Sequence, residues 1–426
     1  MLLPQTLKRI ENRAFEEDWC HAENIYDESL EDPLVEEHII THGITELDIP
    51  PSVEYIGQGA FRCLEYGNMA GDKTKSIEKL TFHEGLKIID KSAFYNRCHL
   101  SILEIPNSLV SIGDNAFNLN TIKHLILNHG VKHIGKHAFN CNMCNVTIPN
   151  NGVFVDVIAF ASCNNIIFEE GVSHIDASAF EDVASAKFPT TIETIDYQAL
   201  AGLLMDTIDL RGISIKYIDT NAFGYAKFKY AYIEGNNLVL APRAFSEHRE
   251  NADIHIGRGV VDIGDACFSC GLSYNYSTID LSEATDLMHV GINAFFSMGA
   301  PAYIELPSKT NNLNEEKKWY AYYNSPDEID FEHDTPVTEI KNMYQGDGHT
   351  CGYVARIVNT KSVETDIEPS YIATDVYKLL KTAKYAEIYN LSGQLIYKGE
   401  AQYFDTKNRG IYIAKIDNNR YKIAIK

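Results

Sequence analysis

Apolar positions along this chain recur in blocks. The stretch Ser101-Ile102-Leu103-Glu104-Ile105-Pro106-Asn107-Ser108-Leu109-Val110-Ser111-Ile112-Gly113-Asp114-Asn115-Ala116-Phe117 sets the pattern. Its final Phe reappears at Phe15, Phe61, Phe94, Phe139, Phe160, Phe180, Phe223, Phe245, Phe268 and Phe295, with Leu200 in its place once. From Phe94 to Phe268 the steps are 20 to 23 residues. A period of that length predicts a solenoid, whose turns bury their apolar faces against one another.

Columns read down the repeats show which positions face inward. Five residues before each reference position stand Ile10, Ile56, Ile89, Ile112, Ile134, Val155, Ile175, Ile195, Ile218, Leu240, Ile263 and Val290, all aliphatic. Twelve before it come Leu3, Ile49, Phe82, Ile105, Leu127, Ile148, Phe168, Phe188, Ile233 and Ile256, and fourteen before it another apolar set from Leu47 to Ile254. Apolar residues two apart around a commonly polar one predict a strand that alternates core and solvent. Pro50, Pro106 and Pro149 follow that strand, with Glu84-Gly85 and Glu170-Gly171 in the same place elsewhere, and all of these predict a bend. The Ile-Gly pair of Ile112-Gly113 or Ile134-Gly135 ends a second short extended piece. Ala-Phe then fills an inner corner with a loop or a brief helical turn. Irregular turns are expected where Asp156-Val157, Leu200 and Ala241-Pro242 depart from the pattern.

The repeat resembles the BspA-type leucine-rich repeats, a cell-surface family. Leu47-Asp48-Ile49-Pro50-Pro51-Ser52-Val53-Glu54-Tyr55-Ile56-Gly57-Gln58-Gly59-Ala60-Phe61-Arg62-Cys63 matches that pattern nearly letter for letter. The tail carries a second resemblance, to the C-terminal sorting domains of type IX secretion, in Ile388-Tyr389-Asn390, Gly393-Gln394, Gly410-Ile411-Tyr412-Ile413 and the Lys-rich end Lys422 to Lys426. Together they imply a secreted or surface-attached, non-catalytic binding protein of a Gram-negative bacterium, exported through an address in its tail.

These readings give a mainly β chain: a solenoid of about 12 to 13 turns over residues 1–310, a cap at 311–335, an irregular linker at 336–370, and a small β-sandwich at 371–426. The cap expectation rests on a helix over Leu313 to Tyr323, since a solenoid end must be covered. Met1-Leu2-Leu3-Pro4-Gln5-Thr6-Leu7 already reads as the strand and bend of a repeat, so an N-terminal truncation is expected and no export signal is present in this chain.

Charge narrows the partners. The formal net charge is −22 over 426 residues. Residues 371–426 hold ten Lys and Arg against five Asp and Glu, so the tail carries +5 and residues 1–370 carry −27. An acidic body argues against nucleic acid and anionic membrane surfaces. No run of 18 apolar residues predicts a spanning helix. The segment from Glu16 to His38 holds ten acidic residues and no Lys or Arg, but lacks calcium-loop spacing and reads as a solvated, degenerate repeat. The stretch from Glu65 to Lys75 and the glycine-rich Gly346 to Gly352 read as loops.

Nine cysteines follow the repeat more than any disulfide framework, which predicts small buried thiols. Cys141-x-x-Cys144 and Cys267-x-x-Cys270 are weak as zinc or redox motifs. Cysteines stacked on successive turns, such as Cys141 and Cys163, are disulfide candidates if geometry allows. No metal, cofactor or catalytic constellation is predicted.

Function on such a scaffold would sit on the strand face turned away from the core. The candidate partner-binding residues there are Glu104, Lys187, Tyr230, Tyr232, Asp253 and His255. Tyr225, Phe228, Tyr230 and Tyr232 form an aromatic cluster of the type that anchors protein or sugar partners, and cross-strand packing explains it equally. Asp253 and His255, two apart on one strand, are expected to face solvent. The predicted partners are extracellular or surface proteins, with glycan binding through the Tyr patch as the alternative.

Overall fold

The computed structural model describes residues 3–16, 44–63, 76–96, 98–141, 144–270, 276–291, 294–295, 303–307, 339–340, 357–358, 386–389, 395–399, 410–416 and 419–425. The expected acidic segment, the loops near 65–75 and 346–352, and the cap helix lie outside them, wholly or nearly so. The described residues are β-strands and turns, and two compact units divide the chain: residues 1–205 with 221–227, and residues 206–220 with 228–426.

In the first unit each turn lays down one long and one short strand. Long strands His99–Ile105, Thr121–Leu127, Asn145–Ile148, Asn165–Phe168 and Ala186–Lys187 stack in parallel, and Glu46–Asp48 pairs with Lys79–Thr81. Short strands Arg9–Ile10, Tyr55–Ile56, Ile88–Ile89, Ser111–Ile112, His133–Ile134 and Phe154–Val155 form a second parallel ladder. His174–Ile175 and Thr194–Ile195 pair separately from these six. Alternation does what the sequence pattern requires: Leu103 and Ile105 are fully buried while Glu104 between them is exposed. This is a β-solenoid, with the apolar columns as its core.

The Ala-Phe corner contains no helical turn; it is a third ladder. The Phe N–H donates to the carbonyl before the next Phe, usually an Ala, as in Phe94 to Ala116 at 2.8 Å and Phe117 to Ala138 at 2.8 Å, with Cys267 in that place for Phe245. Two residues before each Phe the backbone is left-handed, with φ of 55° at Ser92, 56° at Asn115, 55° at His137 and 57° at Ile158. That conformation costs an L-residue on the order of 1–2 kcal/mol. The turn-to-turn hydrogen bonds hold it. Rings of Phe15, Phe61, Phe94, Phe117, Phe139, Phe160 and Phe180 stack in file, with centroids 5.1 to 5.6 Å apart. At Leu200 the file stops. Phe188 stacks on Phe168 at 6.4 Å and lies edge-on to Phe223 at 6.3 Å, as Phe82 and Phe168 lie edge-on to the file.

The bends are pinned from turn to turn. In the turn where His83 stands in place of the bend proline, the carboxylate of Glu84 accepts the Asn107 and Ser108 N–H groups at 2.9 and 2.8 Å, and these bonds, Asn107 first, hold its pKa below the usual value. Glu170 does the same for Thr190.

The second unit repeats the plan with long strands Thr207–Asp209, Tyr230–Ile233, Ala252–Ile256, Tyr276–Asp280 and Tyr303–Glu305, and short strands Tyr217–Ile218, Leu238–Leu240, Val260–Ile263 and His289–Val290. The irregularity expected near Ala241-Pro242 appears as a register shift between Leu238 and Val239. Within 336–370, expected as an irregular linker, the described residues are two short strands. Glu339–Ile340 pairs antiparallel with Tyr303–Glu305, and Ile357–Val358 antiparallel with His289–Val290. Each extends a parallel ladder whose last edge would otherwise leave backbone groups unpaired.

The tail strands Ala386–Tyr389, Leu395–Gly399, Gly410–Ile416 and Asn419–Ile425 form one four-stranded antiparallel sheet. Where the pattern of the tail suggests a sandwich, the described residues hold this single sheet.

Candidate functional site

On the first unit, the outward row of the long-strand sheet runs Glu104, Ile126, Thr147, Ile167, Lys187 in direct register. Four steps of about 4.8 Å separate its ends by about 19 Å, so Glu104 and Lys187 bracket the row without touching. The parallel row is Ile102, His124, Asn145, Asn165. Ile102 is 58% exposed and Ile126 43%. Polar residues on the same face bond among themselves: Ser185 donates to Asn165 at 2.8 Å, and Asn164 to Asn145 at 3.2 Å. What remains open is an apolar, β-branched strip between an acid and a base.

On the second unit the register brings four sequence candidates together, Tyr230 against Asp253 and Tyr232 against His255. A column builds on Tyr232. The Arg211 guanidinium lies 4.2 Å over one face of its ring, while His255 stacks on it at 4.9 Å and 11°. Arg211 in turn grips Asp209 through two bonds of 2.8 and 2.6 Å, chief cause of the lowered Asp209 pKa. His255 Nδ1 lies 3.4 Å from Asp280. Burial alone would push Asp280 up, but hydrogen bonds from Ser282 and His255 outweigh it and hold its pKa down.

Three expectations need correction. Phe228 does not belong to an exposed cluster: it is 1% exposed and packs on Phe245 and His248 at centroid distances of 6.4 and 5.6 Å, because it occupies an inward position ahead of the strand. Asp253 and His255, expected to face solvent, lie on the outward row but are half-buried beside Tyr230 and Tyr232. Tyr225 is exposed, but on the corner after Phe223 and in the first unit. Arg211 was not singled out from sequence. The signal lay in Leu210-Arg211-Gly212, which stands where other turns have their bend residues.

A second feature lies on the short-strand side of the first unit. Phe154–Val155 and His174–Ile175 do not pair, and a cleft of about 260 Å³ opens between Asn150–Val155 and Gly171–Asp176. The column that is 0 to 1% exposed at Val53, Leu86, Leu109, Val131 and Ile192 is half-buried at Val153 and Val172. At the rim His174 Nε2 lies 3.1 Å from Asp196 and 3.7 Å from Asp176. Among the described residues no group of His, Cys, Asp and Glu is arranged to hold a metal ion, and no helix is long and apolar enough to cross a membrane.

Comparison with known proteins places this geometry. A family model described as BspA type leucine rich repeat region matches residues 1–69, 41–167, 159–270 and 216–344. No curated relative matches. Solved structures similar to the chain include a leucine-rich repeat protein from Bacteroides ovatus, 19% identical over 59% of this chain and 75% of that one, TM-score 0.35. Pneumococcal vaccine antigen PcpA is 19% identical over 64% and 66%, TM-score 0.32. A leucine rich cell surface protein from Faecalibacterium prausnitzii A2-165 is 16% identical over 58% and 78%, TM-score 0.29.

Proposed function

Because this chain belongs to the BspA-type leucine-rich repeat family, we propose that it is a secreted or cell-surface protein that binds other macromolecules, proteins foremost, without catalysis of its own. The observation that carries the reading is the open strip of the first unit. Ile102 and Ile126 stay exposed on adjacent rigid strands, with Glu104 and Lys187 marking opposite charges along the row. Exposed apolar side chains amid polar ones, on a sheet that need not reorganise, suit the flat surface of a folded protein.

Glycan binding is the second reading, and it rests on Tyr230, 42% exposed beside the half-buried Asp253. Tyr232 adds little to it, since Arg211 and His255 already cover both faces of its ring. Sugar recognition by stacking needs an uncovered face.

The tail completes the proposal. Its resemblance to sorting domains supports export across a Gram-negative outer membrane, with residues 371–426 as the address.

The test is binding of the full chain to paired arrays of surface or matrix proteins and of glycans. Protein hits lost in Ile102→Asp/Ile126→Asp support the first reading. Glycan hits lost in Tyr230→Ala and kept in the Ile variant would replace it with the second. Removal of 371–426 should stop surface display; unchanged display would refute the sorting role.

A further inference from the structure

Four buried thiols lie close along the first unit: Cys98, Cys141, Cys144 and Cys163, each at most 5% exposed. Two of them are placed differently from the rest. Cys144 and Cys163 stand on adjacent turns just ahead of paired strands and one position off register, since Asn145 and Asn165 are register partners and the cysteines lie one and two residues before them. The Cys144 carbonyl accepts the Asn164 and Asn165 N–H groups at 2.8 and 3.3 Å, which locks the two peptide segments at ladder spacing. The Cys163 Sγ reaches toward the turn that carries Cys144, with the Phe139 carbonyl at 4.0 Å, and the Cys144 thiol is the first cause of its raised pKa. Cys141, the other near candidate, is turned to the preceding turn, where its Sγ donates to the Phe117 carbonyl at 3.1 Å.

We propose that Cys144 and Cys163 are a disulfide-forming pair that staples two successive turns when the chain folds in an oxidising medium. Positions one off register on neighbouring strands of a parallel ladder lie about 6 Å apart, within the Cα separations of about 4.4 to 6.8 Å that a disulfide spans. The chemistry needs a disulfide oxidant of the glutathione or dithiol-oxidoreductase class. One cysteine thiolate attacks that disulfide, forming a mixed disulfide and releasing one oxidant thiol. The second cysteine thiolate attacks the protein sulfur of the mixed disulfide, the S–S bond forms, and the second oxidant thiol leaves. Two protein thiols are oxidised, one oxidant disulfide is reduced, and both protons end on the released thiols.

Timing follows from burial. Once the turns close, both sulfurs lose contact with water, and the neighbouring Cys144 thiol together with burial raises the Cys163 pKa well above that of a free thiol. A buried, protonated thiol is a poor nucleophile. The pair therefore reacts while the chain is folding, and the finished bond is shielded from reductant. Nothing in this depends on what the open strip binds.

The full chain is unfolded in denaturant with reductant, refolded in a buffer of reduced and oxidised glutathione, then alkylated in denaturant and mapped by mass spectrometry without reduction. A covalent link between the Cys144 and Cys163 peptides is expected, retained in Cys141→Ser. Alkyl label on both Cys144 and Cys163 in refolded protein overturns the proposal, as does linkage of Cys163 to Cys141 in its place. Loss of the link in Cys141→Ser would overturn it as well. The unmutated chain decides the outcome even if a variant fails to fold.

Discussion

The Val155 N–H donates to the Asp176 carboxylate at 3.1 Å, where the strands Phe154–Val155 and His174–Ile175 leave their ladder unpaired. A side chain from the next turn supplies the acceptor that a backbone carbonyl supplies elsewhere. Asp176→Ala should therefore leave a part-buried donor without a partner and cost about 1–3 kcal/mol. Asp176→Asn, which keeps a carbonyl oxygen, should cost less. Hydrogen exchange at the Val155 amide, faster in the Ala variant than in the Asn variant, checks this.

Close approach of turns makes some glycines irreplaceable and leaves others free. A Cβ on Gly113 would sit 2.5 Å from the Lys91 backbone nitrogen, and one on Gly135 2.6 Å from that of Asp114. Backbone cannot yield as a side chain does, so Gly113→Ala should destabilise by roughly 1–3 kcal/mol. Gly152 has nothing within 4 Å of the added carbon, and only its φ of 69° opposes substitution. Gly152→Ala should cost about 1 kcal/mol. Denaturant midpoints of the two variants should fall in that order.

Ile158 holds a φ of 57° in a column where other turns place Asn115, Asn221 and Gly59. A β-branched side chain is badly suited to that region. Ile158→Asn should raise stability by about 1 kcal/mol, read as an increased thermal midpoint. A decrease would mean that its half-buried side chain contributes more than the strain costs.

His248 is 1% exposed, and burial alone lowers its pKa from 6.5 to about 4. The folded state thus prefers the neutral ring, while the unfolded chain takes up a proton near pH 6.5. Its contribution is fully present above pH 6.5, shrinks as pH falls, and is gone below about pH 4. At about 1.4 kcal/mol per pKa unit this amounts to about 3 kcal/mol. His248→Leu should flatten the wild-type loss of stability between pH 6.5 and 4, measured as the difference of two denaturation series.

Charge along the open row should act on encounter more than on residence. Glu104→Lys and Lys187→Glu should change the association rate for a bound protein by roughly two- to tenfold, with an altered salt dependence and little change in dissociation. Surface plasmon resonance at two salt concentrations checks it; equal effects on both rates would place these residues inside the contact.

Much of the fold is legible in the chain because the solenoid repeats its own rule. Twelve aliphatic residues five before the reference Phe cannot arise in a fold that lacks a recurring inner position, and those within the described residues are buried as expected, from Ile10 at 2% to Val290 at 0%. The corner was less legible. Ser92, Asn115, His137 and Ile158 share no chemistry that announces a left-handed backbone; the conformation is imposed by hydrogen bonds between neighbouring turns. Phe228 was misjudged for a related reason: alternation counts positions within a strand, and Phe228 precedes the strand Tyr230–Ile233.

The sequence by itself determined the repeat, its inner columns, and the rows that face outward, since periodicity and the cost of exposing apolar surface leave one consistent arrangement. Tertiary structure alone decided what happens between turns. That Arg211 and His255 sandwich Tyr232, that Asp176 caps Val155 across an interrupted ladder, and that the Cys144 carbonyl holds the segment after Cys163 are facts of register. Register is set by backbone pairing across 20 or more residues, and the identity of one residue carries no record of which neighbour that pairing brings beside it.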